Sequence, residues 1–335
     1  MIRLIALALA IGVAADAAAS AAAPAVCNHR RAAAAALARL REALAHGRFV
    51  AYQPTSLQVT NGRVTAADPA SIRADLAVLR PRFDSLVTYE ALHGAENIPS
   101  IAASLKFRAL IIGVWNPLDD AEVSAAIDAV RHYPRLVTGV SLGNERLFSG
   151  RSDFAGLMAV IARVRARLPH TPLSTSEPFH MYYPQSAAEL LGELDFLLAN
   201  VHPIFQPWFR DAPEGAGAQL VVNVVARLAQ SYCGPILVKE TGVPTAPASG
   251  GFTDARQASF YRELRQRFPA TNARAFAYFA AFDAPWRSED ASPVPGPHPE
   301  EAHWGLYDGA RRAKPAAREL LTLSPVWRPA RRRPL

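Results

Sequence analysis

Short apolar segments alternate with longer amphipathic segments along most of this chain, starting near residue 49. Such alternation is typical of parallel strands that are covered by helices on both faces. Eight runs have strand character: 49–55, 85–91, 109–115, 137–143, 172–178, 196–202, 235–241 and 275–282. Helical patterns lie between them at 69–79, 119–131, 153–168, 217–230 and 254–268, with weaker ones at 98–106 and 187–191. The pattern therefore predicts one strand–helix unit, repeated along the chain.

Eight such units can form an open doubly wound sheet or a closed barrel. An open sheet usually has a glycine-rich phosphate turn after its first strand, but here Gln53-Pro54-Thr55 stands at that point. The count of eight predicts a protein of the α/β class, a single (β/α)8 TIM barrel over residues 49–322. In this architecture the chemistry lies at the carboxyl ends of the strands, so candidate residues are sought there.

The first 23 residues have the pattern of an export signal. A basic start at Met1-Ile2-Arg3 is followed by an apolar run from Leu4 to Val13 and then by small residues. This pattern predicts a secretory signal peptide, 1–23, and a secreted or periplasmic protein; an uncleaved membrane anchor is the alternative. Residues 24–48 would lead into the barrel. In an oxidising compartment Cys27 and Cys233 could form a disulfide, which the sequence leaves open.

Charge and composition narrow the class of protein. Half of the residues are hydrophobic and 19% are charged, which excludes a disordered chain, a collagen and a coiled coil. The net charge is +7, but part of it belongs to a basic C-terminal tail, 323–335, which contains Arg328, Arg331, Arg332 and Arg333. Because the body has no nucleic-acid-binding motif, we expect no nucleic acid partner. We expect the tail to be a solvated end; contact with anionic lipid or polysaccharide is the alternative.

Two predicted strands end in glutamates. The fourth ends in Gly143-Asn144-Glu145, and Glu240 lies at the end of the seventh. Both carboxyl groups would face the mouth of the barrel, roughly opposite each other. A pair about 5–5.5 Å apart fits retaining glycoside hydrolysis, and a wider gap fits inversion. Asn144 could hold a sugar 2-hydroxyl. For either glutamate alone, a salt-bridged residue in a loop is the alternative.

These residues resemble the signatures of glycoside hydrolase family 17. Gly143-Asn144-Glu145 and the segment 240–245, ETGVPT, are similar to the family's two catalytic signatures. Further similarity covers 279–286 (FAAFDAPW), 303–307 (HWGLY) and Thr88-Tyr89. The resemblance implies a (β/α)8 barrel with the retaining mechanism of β-1,3-glucanases and glucanosyltransferases. It also implies that Glu145 is the acid/base and Glu240 the nucleophile.

The surroundings of the pair depart from the family's patterns at several positions. Val243 replaces a tryptophan of E-T-G-W-P, and Val87 replaces the arginine of I-R-T-Y. Ala280 and Ala284 stand where the bacterial pattern F-F-E-A-F-D-E-P-W-K has glutamates, and Ile204 takes a tyrosine position after the sixth strand. The catalytic pair is kept while its neighbours change.

Polar and aromatic residues at the strand ends are candidates for sugar binding, because aromatic faces cover the apolar faces of sugar rings. For the aromatic residues, ordinary core packing is the alternative. His202 ends the sixth strand and could form a hydrogen bond within the site. The predicted substrate-binding residues are Asn144, Tyr52, Tyr89, Trp115, Asn116, His202, Trp208, Asp283, Trp286 and Trp304. No spacing of histidines and carboxylates indicates a metal site, and we expect no cofactor.

The leading hypothesis is a secreted retaining glycoside hydrolase that acts on β-glucan, with β-1,3 linkages favoured. One alternative is a β-glucan transglycosylase. Such an enzyme could remodel a periplasmic or capsular glucan with little hydrolysis. A non-catalytic carbohydrate-binding barrel is another. The expected partner is a β-glucan polysaccharide or oligosaccharide; we expect a monomer without a stable membrane span.

Overall fold

A computed structural model describes residues 25–28, 30–289 and 297–323. The strands are β1 (Phe49–Ala51), β2 (Gln58–Thr60), β3 (Arg63–Thr65), β4 (Ser85–Val87), β5 (Ala109–Val114), β6 (Val137–Asn144), β7 (Leu173–Pro178), β8 (Leu197–Asn200), β9 (Ile236–Glu240) and β10 (Arg274–Tyr278). β1 and β4–β10 form a closed barrel in the order β1-β10-β9-β8-β7-β6-β5-β4. All neighbouring pairs in the barrel are parallel. The predicted (β/α)8 barrel is confirmed.

Seven of the nine helices in the described ranges lie in the connections between the barrel strands; the first helix precedes β1 and the last follows β10. The nine are α1 (Ala34–His46), α2 (Pro69–Leu79), α3 (Ile98–Ser104), α4 (Asp120–His132), α5 (Phe154–Arg167), α6 (Ala188–Glu193), α7 (Ala216–Ser231), α8 (Asp254–Arg267) and α9 (Pro315–Arg318). The starts of α2, α4 and α5 follow from their caps. The side chains of Asp68, Asp119 and Asp153 accept hydrogen bonds from backbone N–H groups in the first turn.

Helix α1, the strands β2 and β3, and the short helix α9 lie where the sequence pattern predicted no element. Helix α1 lies in the segment predicted only as a lead-in, and its Leu40, Ala43 and Leu44 pack among interior residues near the strand starts, such as Phe49. It therefore covers the N-terminal end of the barrel. β2 and β3 form an antiparallel hairpin outside the barrel.

A disulfide joins the two cysteines of the chain, Cys27 and Cys233, across a sequence separation of 206. Val26 also pairs with Tyr232, so the segment before α1 is tied to the end of α7. The predicted signal peptide and the tail arginines lie outside the described residues. Within the described ranges, no helix is long and apolar enough to cross a membrane.

Candidate active site

Glu145 lies where β6 departs from regular strand geometry. The register of β6 against β7 shifts between Ser141 and Asn144, and Gly143 has φ +92°. A Cβ on Gly143 would also lie 2.4 Å from the Cδ of Arg146. Glu145 itself has φ +53°, in the left-handed region that costs a non-glycine residue free energy and that is often found at functional sites. Its backbone N–H donates to the carbonyl of Ser176 at 2.7 Å, which holds the turn in place.

A second irregularity lies at the end of β9. Ala199 pairs with Val238 but Asn200 pairs with Glu240, so Lys239 is an extra residue without a partner. Such a bulge re-aims the side chains that follow it. It allows Lys239 and Glu240 to approach each other although they are adjacent in one strand. Lys239 Nζ lies 3.4 Å from Glu240 Oε1.

Buried Lys239 links three strand ends. Its ammonium group donates to Asn144 Oδ1 at 2.6 Å and lies 4.1 Å from the ring centre of Tyr89. A buried charge is tolerated only when it is paired and hydrogen-bonded, and here Glu240 and Asn144 supply both requirements. The position of Asn144 is therefore fixed by a cation from the seventh barrel strand.

Asn200 connects the two irregular strand ends. Its Nδ2 donates to Glu145 Oε1 at 2.8 Å, and its Oδ1 accepts a hydrogen bond from Ser176 Oγ at 2.9 Å. Because the serine hydroxyl can donate to the amide oxygen, the amide nitrogen is left to face Glu145. Asn200 was not among the predicted site residues. Its place at the end of the sixth predicted strand, two residues before His202, was the available signal.

His202 contacts the second glutamate. Its Nε2 lies 3.3 Å from Glu240 Oε2. The imidazole ring packs against Phe279 and Trp304, with ring centres 5.1 Å and 5.0 Å away. Tyr89, Phe279 and Trp304 are buried together and form an apolar base beside Glu240. Three of the residues predicted to bind substrate therefore lie beside Glu240: Tyr89, His202 and Trp304. The side chain of Trp304 is almost wholly buried.

The two carboxyl groups have opposite pKa displacements. Burial raises the pKa of Glu145, and the charge of Glu240 raises it further. Burial would also raise the pKa of Glu240, but Lys239 and the hydrogen bond with His202 outweigh it and lower that pKa to about 2. Two nearby acids whose surroundings separate their pKa values can act as proton donor and as anion at the same pH.

Glu177 is a third buried acid that sequence reasoning missed. It is wholly buried at the end of β7, and its two carboxyl oxygens accept from the backbone N–H groups of Leu147 and Phe148 at 3.0 and 3.2 Å. Burial raises the pKa of Glu177 to about 7. Because the turn that it holds starts at Glu145, Glu177 supports the position of that residue.

The other predicted residues lie further from the two glutamates or serve the fold. Tyr52 is completely buried and donates to Asp75 Oδ2 at 2.9 Å, so its ring has no face available to a sugar. Asp283 accepts from Lys314 Nζ at 2.7 Å and from the Gly305 N–H at 2.8 Å. These two residues therefore stabilise the loops around the mouth.

Three predicted tryptophans and Asn116 lie at the rim. Trp115, Asn116 and Trp208 are exposed in the loops after β5 and β8, whereas Trp286 is half-buried beside a cavity. In the described part of the chain, no group of His, Cys, Asp and Glu side chains is arranged to hold a metal ion.

Comparison with known families decides the class of this site. The family model for the BtgE/BtgC glycoside hydrolase domain matches residues 50–305, which include both glutamates. The chain belongs to this glycoside hydrolase family. As a BtgE/BtgC glycoside hydrolase it is a glycosidase, and the predicted likeness to glycoside hydrolase family 17 is confirmed.

Individual relatives agree with this assignment. The BtgE/BtgC domain is 28% identical over 265 residues to a glucan 1,3-beta-glucosidase of Arthroderma benhamiae, covering 74% of this chain and 84% of that protein. A family 17 beta-1,3-glucanosyltransferase from Rhizomucor miehei has the same fold, with TM-score 0.61, 20% identity and coverage of 81% of this chain and 96% of that one. An endo-laminarinase from Formosa is similar too, with TM-score 0.63, 16% identity and coverage of 82% and 88%.

Proposed function

We propose that this BtgE/BtgC glycoside hydrolase is an exported retaining enzyme that acts on the β-1,3 linkages of β-glucan. Glu240 is the nucleophile and Glu145 the acid/base. The observation that carries the proposal is the opposite pKa displacement of these two buried carboxyl groups at the carboxyl end of one barrel. The Arthroderma relative, whose name gives a 1,3-beta linkage, supports the choice of substrate.

The first step uses the two carboxyl groups in different protonation states. Ionised Glu240 attacks the anomeric carbon and forms a covalent glycosyl–enzyme bond, while Glu145 gives its proton to the departing glycosidic oxygen. Asn144 accepts from Lys239 through Oδ1, so its Nδ2 group is free to donate to the 2-hydroxyl of the attacked sugar.

The second step reverses the role of Glu145. As a carboxylate it now removes a proton from an incoming hydroxyl, which attacks the anomeric carbon and releases Glu240. Water as the incoming group gives hydrolysis, and a sugar hydroxyl gives transfer. The charge that reappears on Glu240 is stabilised by Lys239, 3.4 Å away.

Glycosyl transfer to a second sugar is the second candidate activity. The exposed aromatic residues around Glu145 favour it. Exposed aromatic side chains follow β5, β6 and β8; their exposed fractions are 42% for Trp115, 37% for Phe148, 50% for Phe205 and 41% for Trp208. Such rings are suited to hold an acceptor sugar. The Rhizomucor glucanosyltransferase has an active-site mutant solved with laminaritriose.

Export is part of the same proposal. A disulfide between Cys27 and Cys233 fits an oxidising compartment, because reducing compartments keep thiols free. The sequence pattern of residues 1–23 supplies the export signal in this proposal.

The test is product analysis with β-1,3-linked oligosaccharides. We expect wild type to give shorter or longer products, and Glu240→Gln and Glu145→Gln to give almost none. Glu189→Gln, an exposed carboxyl on α6, is the matched control and should keep wild-type activity. Proton NMR should show the β-anomer as the first product, as retention requires. Unchanged substrate with tight binding in all variants would indicate a carbohydrate-binding barrel instead.

A further inference from the structure

A cavity of about 210 Å³ lies between the carboxyl ends of the first and last barrel strands. Its walls include Gln53 and Thr55 after β1, Gln58 of the hairpin, and Trp286 and Arg287 after β10. The mechanism derived above uses none of these residues. The cavity reaches Glu240 through Tyr89, which lines it and whose own pKa is raised by burial and by the charge of Glu240.

The position of the cavity identifies the part of a substrate that it would hold. Among the described residues that line it, none comes from β6, β7 or β8 or from the loops after them, where Glu145 and its partners lie. Because Glu145 protonates the departing oxygen, the leaving part of the glucan extends toward those loops. The part that stays bonded to Glu240 extends the other way, toward the cavity.

The lining groups suit one pyranose unit. Trp286 offers an aromatic surface for the apolar face of a sugar. The side chain of Gln53 makes no hydrogen bond within the described part of the chain, so its amide is available to hydroxyl groups. Arg287 donates one hydrogen bond to Glu301 at 2.9 Å, and its other N–H groups can donate to a ligand.

Two small residues make the space available. Ala280 and Ala284 both line the cavity. In the bacterial pattern that this segment resembles, the same positions have glutamates. With alanine at both, the wall carries neither the volume nor the charge of those carboxyl groups, which leaves room for a neutral ring.

The walls of the cavity after β1 and after β10 contact each other. Strand β2 of the hairpin contacts the short helical turn Pro285–Glu289, so the two walls meet. The wall after β1 is anchored as well, because Thr55 Oγ1 donates to buried Asp75 at 2.8 Å and Arg311 Nε reaches the same carboxylate at 2.7 Å. A glucan chain that passed between these two walls would have to separate them and move anchored backbone.

We propose that the cavity is a closed donor subsite for a single glycosyl unit, the one at the non-reducing end of the glucan. The next unit lies on Glu240, so the enzyme releases or transfers disaccharides from that end. This inference rests on the proposed function and adds to it the part of the chain that is cleaved.

The test uses laminaripentaose that has been reduced at its reducing end, which marks that end in every product. Hydrolysis by wild type should give laminaribiose and reduced laminaritriose first. Transfer should give reduced laminaritriose and an acceptor lengthened by two units. Glucose with reduced laminaritetraose, or a mixture from random internal cleavage, would overturn the subsite.

Variants of the cavity give an independent reading. Ala284→Phe should fill the space, and Trp286→Ala should remove the stacking surface. Each should lower the ratio of kcat/KM for laminaripentaose to that for laminaribiose by roughly tenfold. Laminaribiose, with one unit on each side of the cleaved bond, does not need the cavity, so the ratio separates a lost subsite from a misfolded enzyme. Leu321→Ala, at an exposed position, should leave the ratio unchanged.

An unchanged ratio in both cavity variants would overturn the subsite while leaving the proposed function intact. Absence of any product that depends on Glu240 would overturn both. The two failures are therefore distinguishable within one set of assays.

Discussion

Asn200 and Glu145 are joined by a hydrogen bond of 2.8 Å that runs from the end of β8 to the turn after β6. Ser176 of β7 lies between them and orients the amide. Three adjacent strands therefore determine where one carboxyl oxygen of Glu145 lies. The contact also favours the ionised form of Glu145, so it lowers a pKa that burial raises.

Replacing Asn200 with alanine should misplace Glu145 and change its titration. We expect kcat to fall by roughly 100-fold, because proton transfer depends on geometry within about 1 Å. The pKa of Glu145 should rise when the hydrogen bond is lost, so it stays protonated to higher pH. The alkaline limb of the kcat/KM profile should therefore move upward. Asn223→Ala on α7 is the control, and a profile that keeps its alkaline limb would contradict this role for Asn200.

The Lys239→Met substitution should shift the acid limb of the pH profile of kcat/KM. The ammonium group lowers the pKa of Glu240, so its removal should raise that pKa and leave the proposed nucleophile protonated at acidic pH. We expect the acid limb of kcat/KM to move to higher pH and activity to fall by at least about tenfold. The exposed Lys106→Met is the matched control. An acid limb at the wild-type position would show that Lys239 does not set the charge of Glu240.

Glu177 should make stability depend on pH. Its folded pKa is about 7, above the ordinary value of 4.5. A carboxyl group with a raised folded pKa binds its proton more tightly in the folded state, so the free energy of unfolding falls as pH rises from about 4.5 through about 7. Urea unfolding at about pH 5 and about pH 8 should show a smaller difference for Glu177→Gln than for wild type. The Glu189→Gln variant is the reference and should behave like wild type. If the free energy of unfolding changed equally between the two pH values in wild type and in Glu177→Gln, this explanation would be wrong.

The disulfide should contribute measurable stability, because it closes 206 residues of chain. In the chain-entropy description, such a cross-link restricts the unfolded state and stabilises the fold by about 5 kcal/mol. We expect the Cys27→Ser, Cys233→Ser double variant to have a lower Tm than wild type in oxidising buffer. Reductant should lower the Tm of wild type toward that of the variant. Equal Tm values in oxidising buffer would mean that the segment before α1 is held by other contacts.

The barrel could be predicted because each strand is a short apolar run with a turn after it. The hairpin was missed although its turn is Asn61-Gly62, both with positive φ, which is among the strongest local signals for a hairpin. Helix α1 was missed because its alanine-rich sequence has a weak apolar stripe, and contacts with the barrel stabilise it.

The two glutamates could be predicted from their places at strand ends, but their partners could not. The approach of Lys239 to Glu240 depends on a register shift that no periodicity in the sequence encodes. The burial of Tyr52 depends on Asp75, a partner on the following helix. Asn200 gains its role only when β8 lies between β7 and β9.

The extra residue in β9 means that the proposed nucleophile and its counter-ion are supplied by one continuous stretch of chain. Leu237 packs inside the barrel and Val238 on the helix side, so regular alternation would bring Lys239 inward and turn Glu240 away. Because of the bulge, the side chains of Lys239 and Glu240 lie together in the site. A barrel that received β9 as a transplanted segment would acquire the anion and the cation together, already neutralised. A barrel given the glutamate alone would have to find a positive charge elsewhere before it could keep that carboxylate buried and ionised.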